Sequence, residues 1–167
     1  MVSNDWPRLF SRYEIQDTRP GLNPDYIPLV DRLIAEPLSN DERAEIESRA
    51  TSDPQNWVMP SRPLPPSYLS LLAWSNGGLF VDGEQEFDLL GAQELREYLL
   101  QYEFPANLPG AVPFASDGNG GFYFIDTRNE CTSNGEYPIL HCRAGRYTFD
   151  DAEAVADSFP ACFGEPR

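Results

Sequence analysis

The chain contains no lysine. All twelve of its basic residues are arginine, against 27 aspartates and glutamates, and the formal net charge is −15. Phosphate backbones need a basic footprint, so this balance argues against nucleic acid as a partner. It fits a basic protein partner or a plain solvated acidic surface. Cysteine occurs three times, at Cys131, Cys142 and Cys162, and histidine once, at His141. Three cysteines are too few and odd in number for a disulfide framework, and reduced thiols with a cytoplasmic location are the expectation. No CxxC spacing is present, so neither a zinc site nor any other metal or cofactor site is expected. No apolar run approaches the roughly 18–20 residues that span a bilayer. The start, Met-Val-Ser-Asn-Asp-Trp-Pro, has neither a basic nor an apolar leader region, so neither a signal peptide nor membrane association is expected.

What is present fits one folded domain. At 167 residues with 13% aromatics, the chain can bury a sizeable core and is not globally disordered. Residues 1–22 carry aromatics, arginines and acids without a period, which predicts an irregular arm docked through Trp6, Leu9, Phe10 and Tyr13. Asn23-Pro24 resembles a helix start, and Tyr26, Leu29, Val30, Leu33 and Ile34 recur at helical spacing before Pro37, with Pro28 able to delay the regular helix. Ser39 with Glu42 forms a capping-box pattern for a polar helix to about Ala50, held by Ile46. A proline-rich loop, 51–63, follows.

Residues 64–78 organise what comes after. Pro65 and Pro66 suit a helix entrance. Tyr68, Leu69, Leu71, Leu72 and Trp74 form an apolar surface too wide for a solvated helix. Asn76-Gly77-Gly78 is a glycine stop. The aromatics could line a pocket, but at helical spacing they read as core. Leu79–Val81 and Phe87–Leu90 predict a hairpin about Asp82-Gly83, and Ala92–Gln101 an amphipathic helix. Ala111–Ala115 and Phe122–Asp126 predict a second hairpin around the turn-rich 116–121. Tyr137–Cys142 and Tyr147–Phe149 read as further strands, and Asp150 with Glu153 as the cap of a final helix carrying Val155, Phe159 and Phe163 to the core. Helices first and short-turn hairpins after predict α+β with a mainly antiparallel sheet of about five to six strands.

Three constellations bear on function. Asp82, Glu84, Glu86 and Asp88 are spaced by two, which in an unbroken strand puts all four on one face. They read as an acidic edge for a basic partner or as a solvated strand face. Asp117-x-Asn119-x-Gly121 partly mimics a calcium loop, but the twelfth position is Arg128 rather than glutamate, and a turn is the simpler reading. His141 with Cys131 or Cys142 imitates a Cys–His pair, but Cys142 is adjacent in a strand and points to the opposite face. A hydrolase using His141 and the Asp117 loop is therefore the weakest alternative, and no catalytic residue is assigned.

Leu64-Pro65, Tyr68, Trp74 and Asn76-Gly77-Gly78 resemble the "LP-x-x-Y…NGG" signature of the SUKH superfamily, named in part for a fungal cell-wall-assembly regulator. Phe87–Gly91 is similar to the family's strand into its middle helix. Val112–Gly118 with Gly120 and Asp126 resembles its "ipfAsDggG…D" hairpin, and Ala156–Phe159 its closing segment. Together these span residues 64–163. Two departures stand out: the acid that the family often places after the hairpin glycine is Gly121 here, and the terminal aromatic arrives one residue late, at Phe163. The resemblance implies a single SUKH-like domain over 23–167 and a binding role without catalysis. Bacterial members are typically immunity proteins that neutralise a secreted toxin domain, often a nuclease. The alternative is a regulatory scaffold for a cellular partner. For the immunity reading, Asp82, Glu84, Glu86 and Asp88, singled out above by their spacing, are the candidate contacts for the toxin's basic surface.

Overall fold

The computed structural model describes residues 5–164. Seven strands form one antiparallel sheet in chain order: β1 (Glu14–Thr18), β2 (Gly78–Asp82), β3 (Gln85–Leu89), β4 (Ala111–Ser116), β5 (Phe122–Asp126), β6 (Ile139–Cys142) and β7 (Glu153–Ala156). The helices are α1 (Trp6–Leu9), α2 (Val30–Ala35), α3 (Asn40–Arg49), α4 (Pro66–Trp74), α5 (Ala92–Gln101) and α6 (Phe104–Asn107). The chain is α+β, with one strand more than the upper expectation.

The extra strand is β1. Where an irregular arm was expected, Asp5 caps α1 through the Arg8 N–H and the chain then pairs with β2. The sequence signal was missing because all five residues of β1 are exposed, so no apolar alternation marks it. Its upstream anchors are core: the Phe10 ring packs tilted against Phe80 (4.4 Å between centroids) and Phe163 (4.6 Å). Downstream, Asn23 accepts the Asp25 N–H in a turn rather than capping a helix. Pro28 lies in a 3-10 turn, Ile27–Leu29, and the regular helix waits until Val30.

The Ser39–Glu42 capping box forms as read, with each side chain accepting the other's backbone N–H. Arg96 of α5 then clamps the Glu42 carboxylate at 2.8 Å and donates to the carbonyls of Leu33, Glu36 and Pro37. This ties the N-terminal helices to the rest of the domain and holds the Glu42 carboxyl down to about 2.

Helix α4 is the inner pillar, but only one side is fully buried: Tyr68, Leu71 and Leu72 are inside, Leu69 and Trp74 are half-buried and Ala73 is exposed. Its exit also differs from a glycine cap. Ser75 ends the helix in an extended conformation (φ −146°), and its buried hydroxyl accepts the Arg19 N–H at 3.2 Å and donates to the Gly77 carbonyl at 2.6 Å. Gly78 (φ +135°) is needed because a side chain there would collide with the Asp17 carbonyl of β1.

The C-terminal third carries the other corrections. Residues 147–149 are loop, and the expected final helix is strand β7 followed by a 3-10 turn, Pro160–Phe163. The Thr148 hydroxyl, rather than Asp150, accepts a backbone N–H, that of Asp151. Pairing with β6 outweighs helix formation in a segment already interrupted by Pro160. Phe159 and Phe163 are fully buried, whereas Val155 sits at a bulge and is exposed. Both outermost strands are irregular, at Gln16 in β1 and Val155 in β7. Bulges of this kind blunt a sheet edge against adding another strand.

Candidate functional site

Cross-strand registers assign the two faces of the sheet. One row runs Asp17–Leu79–Asp88–Ser116–Phe122–Cys142 across β1 to β6, and a second, shorter row, Glu14–Val81–Glu86, lies on the same face. Over β5 and β6 this outer face is covered. Phe122 packs on Tyr102 (4.6 Å between centroids), Phe104 (5.8 Å) and Tyr98 (5.9 Å), while Phe124 meets Phe104 and Phe149. Over β1–β3 it is not. Leu79 and Val81 are half-buried and join none of the buried clusters of the described residues. An apolar stripe on β2 therefore runs between an acidic stripe on β1 (Glu14, Asp17) and another on β3 (Glu86, Asp88). The opposite, inner face is packed at its centre, with Phe80 and Phe87 fully buried beneath α1, α4 and the C-terminal turn, and opens only toward the edge strands, where Ile15 is exposed.

The four-acid row of the sequence reading is broken by its turn. Asp82 pairs with Gln85, so Gly83 and Glu84 form the two-residue turn, with Gly83 at φ +63°. Glu86 and Asp88 share the open face and Glu84 projects from the turn. Asp82 lies on the inner-face side, 3.4 Å from Arg12 Nε. Glu14 and Asp17, which carry no sequence signal beyond their charge, join the open face instead.

The charge on this face is lopsided. Its one cation among the described residues is Arg19, 3.2 Å from Glu94 and 3.8 Å from Asp17. Glu14, Glu86 and Asp88 have no ion-pair partner among those residues. Partial burial raises the Asp88 carboxyl above its ordinary value; Arg19 opposes the shift and Glu94 and Asp17 add to it. Glu86 lies against the β4–β5 loop, where a side chain at Gly118 would collide with its carboxylate.

Asp117 of that loop and His141 of β6 form the dyad considered for hydrolysis. His141 Nε2 is 2.8 Å from Asp117 Oδ2, and the His141 ring packs tilted against Tyr123, 4.7 Å between centroids. The other Asp117 oxygen accepts the N–H groups of Asn119 and Gly121. Burial raises the Asp117 carboxyl, but the hydrogen bonds from His141 and the two backbone groups outweigh it and leave it below the usual range. Asp117 is thus committed to closing the turn. Burial pushes the Cys142 thiol up to about 11 and that of Cys162 to about 12, which makes both poor nucleophiles. Gly121 stands where an acid was expected by resemblance, and any side chain there would collide with the Cys142 carbonyl.

The remaining marked residues serve the scaffold. Leu64 is buried and its N–H donates to Asp31; Pro65 caps α4; and the buried Tyr68 ring packs on Phe159. Trp74 stacks on Phe10. Asn76 neither caps α4 nor ties down β2. Its side-chain oxygen accepts the Ala92 N–H at 2.7 Å and so anchors the start of α5. Gly77, at φ +103°, sits against Arg19. The Gly120 carbonyl accepts the Tyr147 hydroxyl, and Asp126 chelates the Arg128 guanidinium at 2.9 Å. A separate recess of about 430 Å³ lies between α2 and α5, where Tyr26, Leu29 and Leu33 are exposed beside Arg32 and Glu36. Among the described residues, no group of three or more metal-ligating side chains occurs and no helix is long and apolar enough to cross a membrane.

Comparison with curated proteins found no match. The model of the SMI1 / KNR4 family (SUKH-1) matches residues 55–165, a span from the loop before α4 through the whole of β2–β7 and the C-terminal turn. With the match covering most of the chain and nearly all of its sheet, the protein belongs to the SMI1 / KNR4 family (SUKH-1).

Proposed function

We propose that this chain is a non-enzymatic, cytoplasmic bacterial immunity protein. It binds a secreted toxin domain with a basic surface, a nuclease being the class whose site carries that charge, and neutralises it by covering the surface. The carrying observation is the uncovered half of the sheet, where Glu86 and Asp88 stand without ion-pair partners among the described residues. Charged rims of this kind accelerate encounter with an oppositely charged protein, and the effect weakens with salt. Family membership supports a role in binding rather than catalysis, and so does the engagement of Asp117 within its own turn.

The test is coexpression with the C-terminal domain of a secreted protein encoded beside this chain. Rescue of growth and a stable complex are the expected results. Glu84→Gln, Glu86→Gln and Asp88→Asn combined should slow association on the order of tenfold at low salt and flatten its salt dependence. Asp82→Asn should change neither, because Asp82 is held by Arg12 on the other side of the hairpin. Unchanged association in the triple variant would remove the acidic surface from the mechanism, and growth arrest despite coexpression would remove the immunity reading.

A further inference from the structure

The open face has a more specific shape than an acidic patch. Leu79 and Val81 are two residues apart on one strand, so their side chains are separated by roughly 7 Å along it. On a helix, residues i and i+4 are about 6 Å apart along the axis. The acidic stripes on β1 and β3 each lie one strand spacing from β2, so they are roughly 10 Å apart, close to the diameter of a helix with its side chains. We infer that the outer face of β1–β3 docks an amphipathic helix of the partner, whose apolar residues at i and i+4 cover Leu79 and Val81 while arginines or lysines on both flanks meet Glu14 and Glu86 on one row and Asp17 and Asp88 on the other. This rests on the protein-binding reading and names the partner element that it requires.

Other occupants fit less well. A second copy would set these acids against themselves. Phosphate-bearing ligands and anionic membranes are repelled for the same reason. Strand addition would use the β1 edge, which the irregularity at Gln16 disrupts. Arg19 already engages Glu94 and Asp17, so cations of the partner gain most at Glu14, Glu86 and Asp88. Burial already raises the Asp88 carboxyl and repulsion by Glu94 and Asp17 adds to the shift; an approaching cation offsets that repulsion.

The full chain is titrated with three synthetic 14-residue helical peptides. The first has leucines at i and i+4 flanked by arginines, the second replaces those leucines by serine at the same charge, and the third replaces the arginines by glutamate. Binding is read by fluorescence anisotropy and backbone amide NMR. The first peptide should perturb Leu79, Val81, Glu86 and Asp88 and bind at least tenfold more tightly than the second, and the third should not bind. Leu79→Ser with Val81→Ser, and separately Glu86→Gln with Asp88→Asn, should each weaken the first peptide about tenfold, with circular dichroism confirming that both variants fold. Equal affinity of the leucine and serine peptides, shifts centred on the Leu29–Leu33 recess, or no binding at all would overturn the inference. The toxin domain separates the two levels. If it binds wild type and the Leu79→Ser, Val81→Ser variant equally, the helix-docking surface falls and the immunity reading stands. If it binds neither while the peptides behave as described, the immunity reading falls and the surface stands.

Discussion

One cross-strand row passes from Asp17, Leu79 and Asp88 to Phe122 and Cys142 without leaving its face of the sheet. At one end the row is roofed by Tyr98, Tyr102 and Phe104 and is almost dry; at the other it is charged and bare. Strand pairing is antiparallel at both ends, so the hydrogen-bonded sheet does not itself create the difference. What differs is whether α5 and α6 reach over the strands. Strands β4 and β5 are buried on both faces and read as apolar runs, Val112–Ala115 and Phe122–Ile125, while β2 and β3 alternate. The uncovered end is the part of the sheet free to meet another molecule.

The largest test of this contrast compares one residue from each end. Phe122→Ala removes a ring packed against several others and should cost about 3–5 kcal/mol in urea unfolding. Leu79→Ala, on the same face but without a roof, should cost on the order of 1 kcal/mol or less. Equal losses would mean that the open end is as tightly packed as the covered one. The next test compares carboxylates. The Arg96 clamp holds Glu42 down to about 2, from an ordinary 4.5. A carboxyl depressed by folding stabilises above its unfolded value, and that stability is lost as pH falls through the folded one. Unfolding followed between pH 5 and 2 should therefore show a loss on the order of 1–2 kcal/mol that Glu42→Gln abolishes, solvent screening having reduced the full linkage value. The smallest effect has the opposite sign. Asp88 is raised, first by burial and further by Glu94 and Asp17, so its charge opposes folding once pH exceeds its folded value. Asp88→Asn should stabilise the free protein by a few tenths of a kcal/mol at pH 7 after screening, while weakening partner binding. A variant that lost both stability and binding would place Asp88 in the scaffold instead.

Much of the scaffold was legible because its signals are local. Ser39 and Glu42 cap α3 three residues apart, Pro66 and the apolar run mark α4, and the glycine-rich turns between β2 and β3 and between β4 and β5 lie next to the strands they join. Legibility failed where a distant partner decided the outcome. β1 becomes a strand only because β2, some sixty residues later, offers it an edge. The final segment had a plausible helix cap at Asp150 and Glu153, yet pairs with β6. The glycines after α4 were read as a helix stop, and Gly78 instead makes room for the β1 backbone. The candidate site failed in the same way: a spacing of two located Glu86 and Asp88 correctly relative to each other but could not show that the turn carries Asp82 to the opposite face, or that Glu14 and Asp17 arrive from another strand.

By itself, then, the sequence determined the sign of the surface, the class of the fold, the pillar helix, the two main hairpins and the family resemblance. Each of these is set by composition, by residues within a few positions of one another, where steric preference, capping and apolar period act directly, or by the order of such local signals along the chain. That part of one sheet face stays bare, with an apolar stripe between two acidic ones, follows from long-range packing alone. That arrangement depends on cross-strand register and on where α5 and α6 end, and both are settled by packing between segments far apart in the chain.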